Sequence, residues 1–288
     1  MKVELNVQEI NDILRKQNIQ DEITKVQKIS GTTDGLVFRL EDDTDAKYIL
    51  KFDRPDQILL AEQLLSTYQS SDLLPKILFT APDKSHLLYT YIEGITHFNR
   101  GIKSDWLSLF TTELLNKYIP YEQVDFWGRL ESPRRSWLEF NEISVEEARV
   151  NIGSTLPTED YLYIKSLVEK LYSKGPVQGE KYLLHGDTGV HNFVYDQSKL
   201  IGVIDPSPMA GPVLYDFLYA FVSSPDDIDR DTLFTAFDLL EQVQIDLSRL
   251  LEEAAVHLYC RIGLSLKHHP NDLPEYLAAW EQWKVLCK

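Results

Sequence analysis

Cysteine is scarce in this chain. Its 288 residues hold two, Cys260 and Cys287, which form neither a CxxC pair nor a disulfide framework. Cys260 lies in the apolar helical run AAVHLYC and reads as a buried thiol; Cys287 reads as incidental. Cations are also short, with 29 Lys and Arg against 45 Asp and Glu and a formal net charge of -16. Such a balance repels nucleic-acid phosphates, and no Lys/Arg run makes a local exception, so no nucleic-acid partner is expected. The plain meaning of the acidity is solubility; the sharper one is a field that attracts a cationic substrate. No apolar run of about 18 residues occurs, so no membrane span is expected. The N-terminal residues are polar with helical spacing and lack the apolar core of a signal peptide, which leads to the expectation of a cytoplasmic protein. Internal repeats and low-complexity tracts are missing too.

What remains is core-forming material. Hydrophobic residues make up 43% and aromatics 11%, which argues against disorder. The length suits one large domain or two lobes sharing a cleft, because single cores rarely grow beyond roughly 250–300 residues.

The periodicity changes along the chain. Val7, Ile10, Ile13 and Leu14 have helical spacing, whereas residues 23–30 alternate as a half-buried strand does. Further strands are predicted at residues 36–40, 47–52, 76–80 and 86–92, joined by short polar turns, with a helix over 58–68 behind Pro55. Gly94 marks a break. Beyond it, helices are predicted at 106–119, 144–152, 159–174, 212–222, 231–243, 247–267 and 273–286. Two short apolar runs, 182–184 and 200–204, interrupt them. The organisation is therefore a β-rich lobe over residues 1–93 and a helical lobe over 94–288.

The strongest chemical signal is the segment HGDTGVHN at residues 185–192, followed by Ile204-Asp205-Pro206. It sets an Asp and an Asn five positions apart in a loop, then returns to a second Asp at a strand end. Phosphoryl transfer from ATP needs a group that positions and deprotonates the acceptor, and oxygen ligands for Mg²⁺ across the phosphates. Asp187 suits the first task. Asn192 offers a carbonyl oxygen without further charge, and Asp205 supplies a charged ligand. A capped turn is the alternative for HGD alone. A zinc site of His185, Asp187 and His191, as in a metal-dependent hydrolase, is a further alternative.

The H-G-D-x-x-x-x-N loop followed by I-D resembles the aminoglycoside phosphotransferase-like family, small-molecule kinases of the protein-kinase-like fold. The resemblance implies an α+β, two-lobed architecture: an antiparallel β-sheet N-lobe with one main helix and a mostly helical C-lobe. It implies ATP (or GTP) and Mg²⁺ as cofactors, with Asp187 as catalytic base, Asn192 and Asp205 as metal ligands, and His185 and Gly186 shaping the loop. Lys51, in the third strand, matches the family's phosphate-gripping lysine. Glu62 is a polar residue in the apolar helical run LLAEQLL, and a Lys51–Glu62 ion pair would explain both. Ser30, Gly31, Thr32, Thr33 and Gly35 would form a turn over the phosphates, and Thr90, Tyr91 and Ile92 would hold the adenine. Asp216, in GPVLYDFL, resembles a buried aspartate that braces the catalytic loop. The pattern departs from the family after Asp205, where Pro206-Ser207-Pro208 lacks a second acid.

The implied acceptor is a hydroxyl on a small, polar, even cationic molecule such as an aminoglycoside; choline-type amines and sugars stay open, as does a pseudokinase-like regulatory module. The acidic stretch 223–231, the cluster of His268, His269, Asn271, Asp272 and Glu275, and Trp127, Trp137, Trp280 and Trp283 are candidates to meet it. The chain is expected to act as a monomer or homodimer.

Overall fold

A computed structural model describes residues 5–17, 19, 22–29, 35–174 and 181–287. The alternating segments become a five-stranded antiparallel sheet: β1 (Ile23–Ile29), β2 (Leu36–Asp42), β3 (Lys47–Phe52), β4 (Ile77–Thr80) and β5 (His86–Thr90), in the order β1-β2-β3-β5-β4. Asp42 fixes the β2–β3 turn by accepting bonds from the amides of Thr44 at 2.8 Å and Ala46 at 2.9 Å, as an Asx turn does. The pleat sorts the side chains. Phe38, Leu40, Leu50 and Leu88 form one apolar cluster with Ile10 and Leu14 of helix α1 (Val7–Lys16). Val37, Ile49 and Lys51 lie on the opposite face, in register with Tyr89 and Leu87. Asn11 clips α1 to the sheet through paired bonds with the Ile23 backbone, at 3.0 and 2.9 Å.

Helix α2 (Pro55–Thr67) starts on a proline at its first turn, where a missing N–H costs nothing. It buries Ile58, Ala61, Leu64 and Leu65 in the large cluster that continues into the helical lobe. The Tyr68 hydroxyl donates to the Leu183 carbonyl at 2.5 Å, tying the two regions together.

Beyond Gly94 come α3 (Lys103–Glu113), α4 (Trp137–Ile152), α5 (Thr158–Tyr172), α6 (Val213–Val222), α7 (Arg230–Phe237), α8 (Leu247–His268) and α9 (Leu273–Leu286). Two small sheets lie among them. One joins β6 (Ile95–Thr96), β9 (Phe193–Asp196) and β10 (Lys199–Val203); the other joins β7 (Gly128–Arg129), β8 (Tyr182–Leu184) and β11 (Met209–Gly211). The helix expected at 144–152 starts earlier because Ser136 caps it, accepting from the Glu139 amide at 3.0 Å. The helix expected over 106–119 ends at Glu113 and tightens into a 3-10 turn, Leu115–Lys117. Trp106, Phe110, Phe193, Phe217, Trp280 and Trp283 are fully buried, each contributing roughly 2–3 kcal/mol by area. No described helix is long and apolar enough to cross a membrane.

Candidate active site

The loop 185–192 leaves β8 and ends in β9, and α6 holds it from beneath. Asp216, in the first turn of α6, is fully buried. Its carboxylate accepts the Gly186 amide at 3.1 and 3.2 Å and the Tyr118 hydroxyl at 2.7 Å. Its carbonyl accepts the Thr188 hydroxyl at 2.7 Å, and the Tyr118 oxygen in turn accepts the His185 amide at 3.1 Å. Burial raises the Asp216 carboxyl to about 6, against the pull of these donors. Gly186 has φ +80°, and a Cβ there would stand 2.0 Å from the Ser207 carbonyl oxygen. Only glycine lets the loop pass this close in that conformation. His185 is fully buried, and burial depresses its imidazole to about 4, so the ring is neutral. Its Nδ1 accepts the Asp187 amide at 3.3 Å, a structural task.

This scaffold sets Asp187, His191 and Asn192 in the wall of a cleft of about 640 Å³ between the sheet and the helical lobe, which Lys51 and Asp205 also line. The Asn192 amide nitrogen donates to both the carbonyl and the Oδ2 of Asp187, each at 3.0 Å. His191 Nε2 lies 3.3 Å from the same Oδ2. Burial works to raise the Asp187 pKa, but the His191 hydrogen bond and the positive charges of His191 and Arg129 outweigh it. The carboxyl sits below the ordinary range and is ionised at neutral pH. Across the cleft, Lys51 Nζ lies 3.0 Å from Asp205 Oδ1. Asp205 follows β10 at φ 55°, an uncommon conformation for a residue before proline, and its carboxylate is open to the cleft.

The donor set suits a magnesium ion. Asn192 spends its nitrogen on Asp187, which leaves its carbonyl oxygen for a ligand, and among the described residues Asp205 has Lys51 as its one ion-pair partner. Two protein oxygens completed by phosphates and water are the usual complement for Mg²⁺. A zinc cluster is a poorer fit. Among the described residues no group of three or more His, Cys, Asp or Glu could hold a metal.

The apolar end of the cleft is formed by Val37, Ile49, Tyr89 and Ile204, beside the linker residues Thr90, Tyr91 and Ile92. The amides of Thr90 and Tyr91 are already bonded to the carbonyls of Lys76 at 2.9 Å and Lys47 at 3.1 Å. Among the described residues, the Ile92 amide has no backbone partner, which makes it the linker donor available to a bound ring. Gly202 lets the linker close in, since a Cβ there would meet Ile92 Cδ1 at 2.6 Å.

Several expectations need correction. The Lys51–Glu62 pair does not form. Glu62 faces Lys84, with Oε2 2.6 Å from Nζ, because α2 turns that side of the helix toward the β4–β5 turn. Lys51 has instead Asp205 and, at 3.8 Å, the nearly buried Asp53. Asp53 sits two residues beyond Lys51 at the same strand exit, and no motif marks it in the sequence. Of the phosphate-covering turn, Ser30, Gly31, Thr32 and Thr33 lie outside the described residues. Gly35 is described at φ +79°, packed against Phe52 and Asp53. Trp137, Trp280 and Trp283 are core residues, and Trp280 donates to Asp160 at 2.7 Å, so none is offered to a substrate. In the acidic stretch, Asp226 pairs with Arg100 at 2.5 Å and Asp229 caps α7.

No family model and no curated protein matches the chain. Solved structures do. A macrolide 2'-phosphotransferase from Brachybacterium faecium is 12% identical with a TM-score of 0.62, over 95% of this chain and 96% of that one. A choline kinase from Cryptosporidium parvum is 13% identical with a TM-score of 0.58, over 97% and 95%. A spectinomycin phosphotransferase solved with ADP and spectinomycin is 14% identical with a TM-score of 0.57, over 97% and 95%. At such identities the likeness establishes the fold: the chain has the two-lobed, protein-kinase-like fold of these small-molecule kinases.

Proposed function

We propose that the protein is a small-molecule kinase that moves the γ-phosphoryl group of ATP to a hydroxyl of a small polar molecule. One observation carries the reading: Asp187, Asn192, Lys51 and Asp205 converge at one end of the cleft, with Lys51 and Asp205 in contact across 154 residues of sequence. In this reading residues 1–93 form the nucleotide-binding lobe and 94–288 carry the catalytic loop and acceptor site. ADP in the similar spectinomycin phosphotransferase supports an adenine nucleotide as donor.

Val37, Ile49 and Ile204 would enclose the adenine, with the Ile92 amide as hydrogen-bond donor. Lys51 binds phosphate oxygens, exchanging its Asp205 partner for them. Asn192 and Asp205 would hold Mg²⁺, which would neutralise the charge spread over the phosphates. Asp187, oriented by Asn192, is the base that takes the proton of the attacking hydroxyl. Its depressed pKa keeps it ionised and ready at neutral pH.

ADP release in Mg-ATP across a panel of hydroxyl compounds tests this. On any acceptor that is turned over, Asp187→Asn lowers kcat by about 10²–10⁴. Equal turnover by wild type and variant overturns the assignment.

A further inference from the structure

A second cavity, of about 300 Å³, lies in the helical lobe between α4, α6 and α8. It adjoins the catalytic loop at two points. Arg129 lines it and donates to Ser207 Oγ at 2.5 Å, while Ser207 lines the nucleotide cleft. Tyr219 lines it and lies against the loop, where a Cβ on Gly189 would stand 3.5 Å from its ring. The cavity is therefore placed on the far side of the catalytic loop from the sheet, where an acceptor would approach Asp187.

Its charge is opposite to that of the whole chain. Arg129, Arg134 and Arg261 line it, against a single carboxylate, Glu147. Among the described residues none of the three arginines has a carboxylate within 4.0 Å. Arg129 bonds Ser207, Arg134 bonds the Pro133 carbonyl at 3.3 Å, and Arg261 Nε bonds the Tyr276 hydroxyl at 2.9 Å. Arg261 is only 8% exposed. A buried guanidinium without a counter-ion is costly, and its forked donors match a carboxylate or phosphate. Of the chain's 45 acids, Glu147 alone among the described residues lines this cavity.

Resting on the kinase reading above, we infer that this cavity is the acceptor subsite and that the acceptor is a small anionic hydroxy compound, not a polyamine. Arg261 and Arg134 bind its carboxylate or phosphate, while Phe140, Tyr215 and Tyr219 cover its carbon frame. A volume at the lower limit of ligand pockets, roughly 300 Å³, suits a molecule smaller than an oligosaccharide. In the transfer, the acceptor oxygen forms a bond to the γ-phosphorus and its proton passes to Asp187. The bond from the γ-phosphorus to the bridging oxygen breaks, and ADP leaves with the electron pair.

Initial rates with Mg-ATP on acceptors sorted by charge provide the test. Glycerate and malate represent carboxylates, glycerol phosphate the phosphates, glycerol and ribose neutral compounds, and choline and kanamycin cations. The expected result is turnover of an anionic acceptor, with its KM raised about tenfold or more in Arg261→Gln and Arg134→Gln and the nucleotide KM unmoved. Whether glycerate and malate or glycerol phosphate responds identifies the anion. Should the buried Arg261 variant fail to fold, the partly exposed Arg134 variant carries the comparison. Turnover confined to neutral or cationic acceptors overturns this inference and leaves the kinase reading standing. Anionic turnover with an unchanged KM in the variants overturns the arginine subsite. No turnover of any compound overturns both.

Discussion

Replacing Asp216 with Asn should change not only the stability of the protein but its dependence on pH. The carboxyl is fully buried, and burial raises it from the ordinary 3.8 to about 6. A group raised in the folded state holds its proton more tightly there than in the unfolded chain. Its contribution to stability is complete below the unfolded value and is lost as pH rises through the folded one. The gap between 3.8 and about 6, at 1.36 kcal/mol per pH unit, is about 3 kcal/mol lost between roughly pH 4 and pH 7. Asparagine does not titrate and removes that slope. It also disturbs the donors from Gly186 and Tyr118, an offset of about 1–3 kcal/mol at every pH. Urea unfolding of both proteins from pH 4 to 7.5 gives the difference curve. The destabilisation by Asn should be largest near pH 4 and shrink by about 3 kcal/mol toward pH 7. Parallel curves, or a difference that grows with pH, would refute the buried, proton-retaining carboxyl.

Three further substitutions probe the loop, the α2 ion pair and the strand lysine. Gly186→Ala must fit a Cβ 2.0 Å from the Ser207 carbonyl at φ +80°; overpacking and backbone strain together should cost about 2–5 kcal/mol, and unfolding near the wild-type midpoint would contradict this. Glu62→Gln breaks only a partly exposed pair with Lys84, so stability should fall by about 1 kcal/mol or less with the nucleotide KM unchanged. Lys51→Met, by contrast, should raise the nucleotide KM about tenfold or more. Equal effects of the two on that KM would restore the Lys51–Glu62 pairing.

The segments that sequence reasoning placed well are those whose physics is local. The strands expected over 23–30 and 36–40 are found at Ile23–Ile29 and Leu36–Asp42, where a short turn pairs each run with a neighbour close in sequence. The loop 185–192 is legible because Asp187 and Asn192 reach each other within five residues, and Asp205 returns on the adjoining hairpin. The two-residue strands β6 and β7 escaped because so short a run carries no period.

Glu62 shows the limit from the other side. Its place in a helix of predictable extent was legible, but its partner depended on how α2 rotates against the sheet, and that is settled by packing Ile58, Ala61, Leu64 and Leu65 into the large core. The arginine cavity is further still from the sequence. Arg129 and Arg261 lie in unrelated segments and carry no motif; only the packing of β7 beside α4, α6 and α8 brings them to one space. The sequence by itself thus determined most of the elements and the run of polar groups in the loop 185–192, since those follow from neighbours along the chain. The tertiary structure decided which acid meets Lys51 and which charges line the second cavity, because each depends on close packing between residues far apart in sequence.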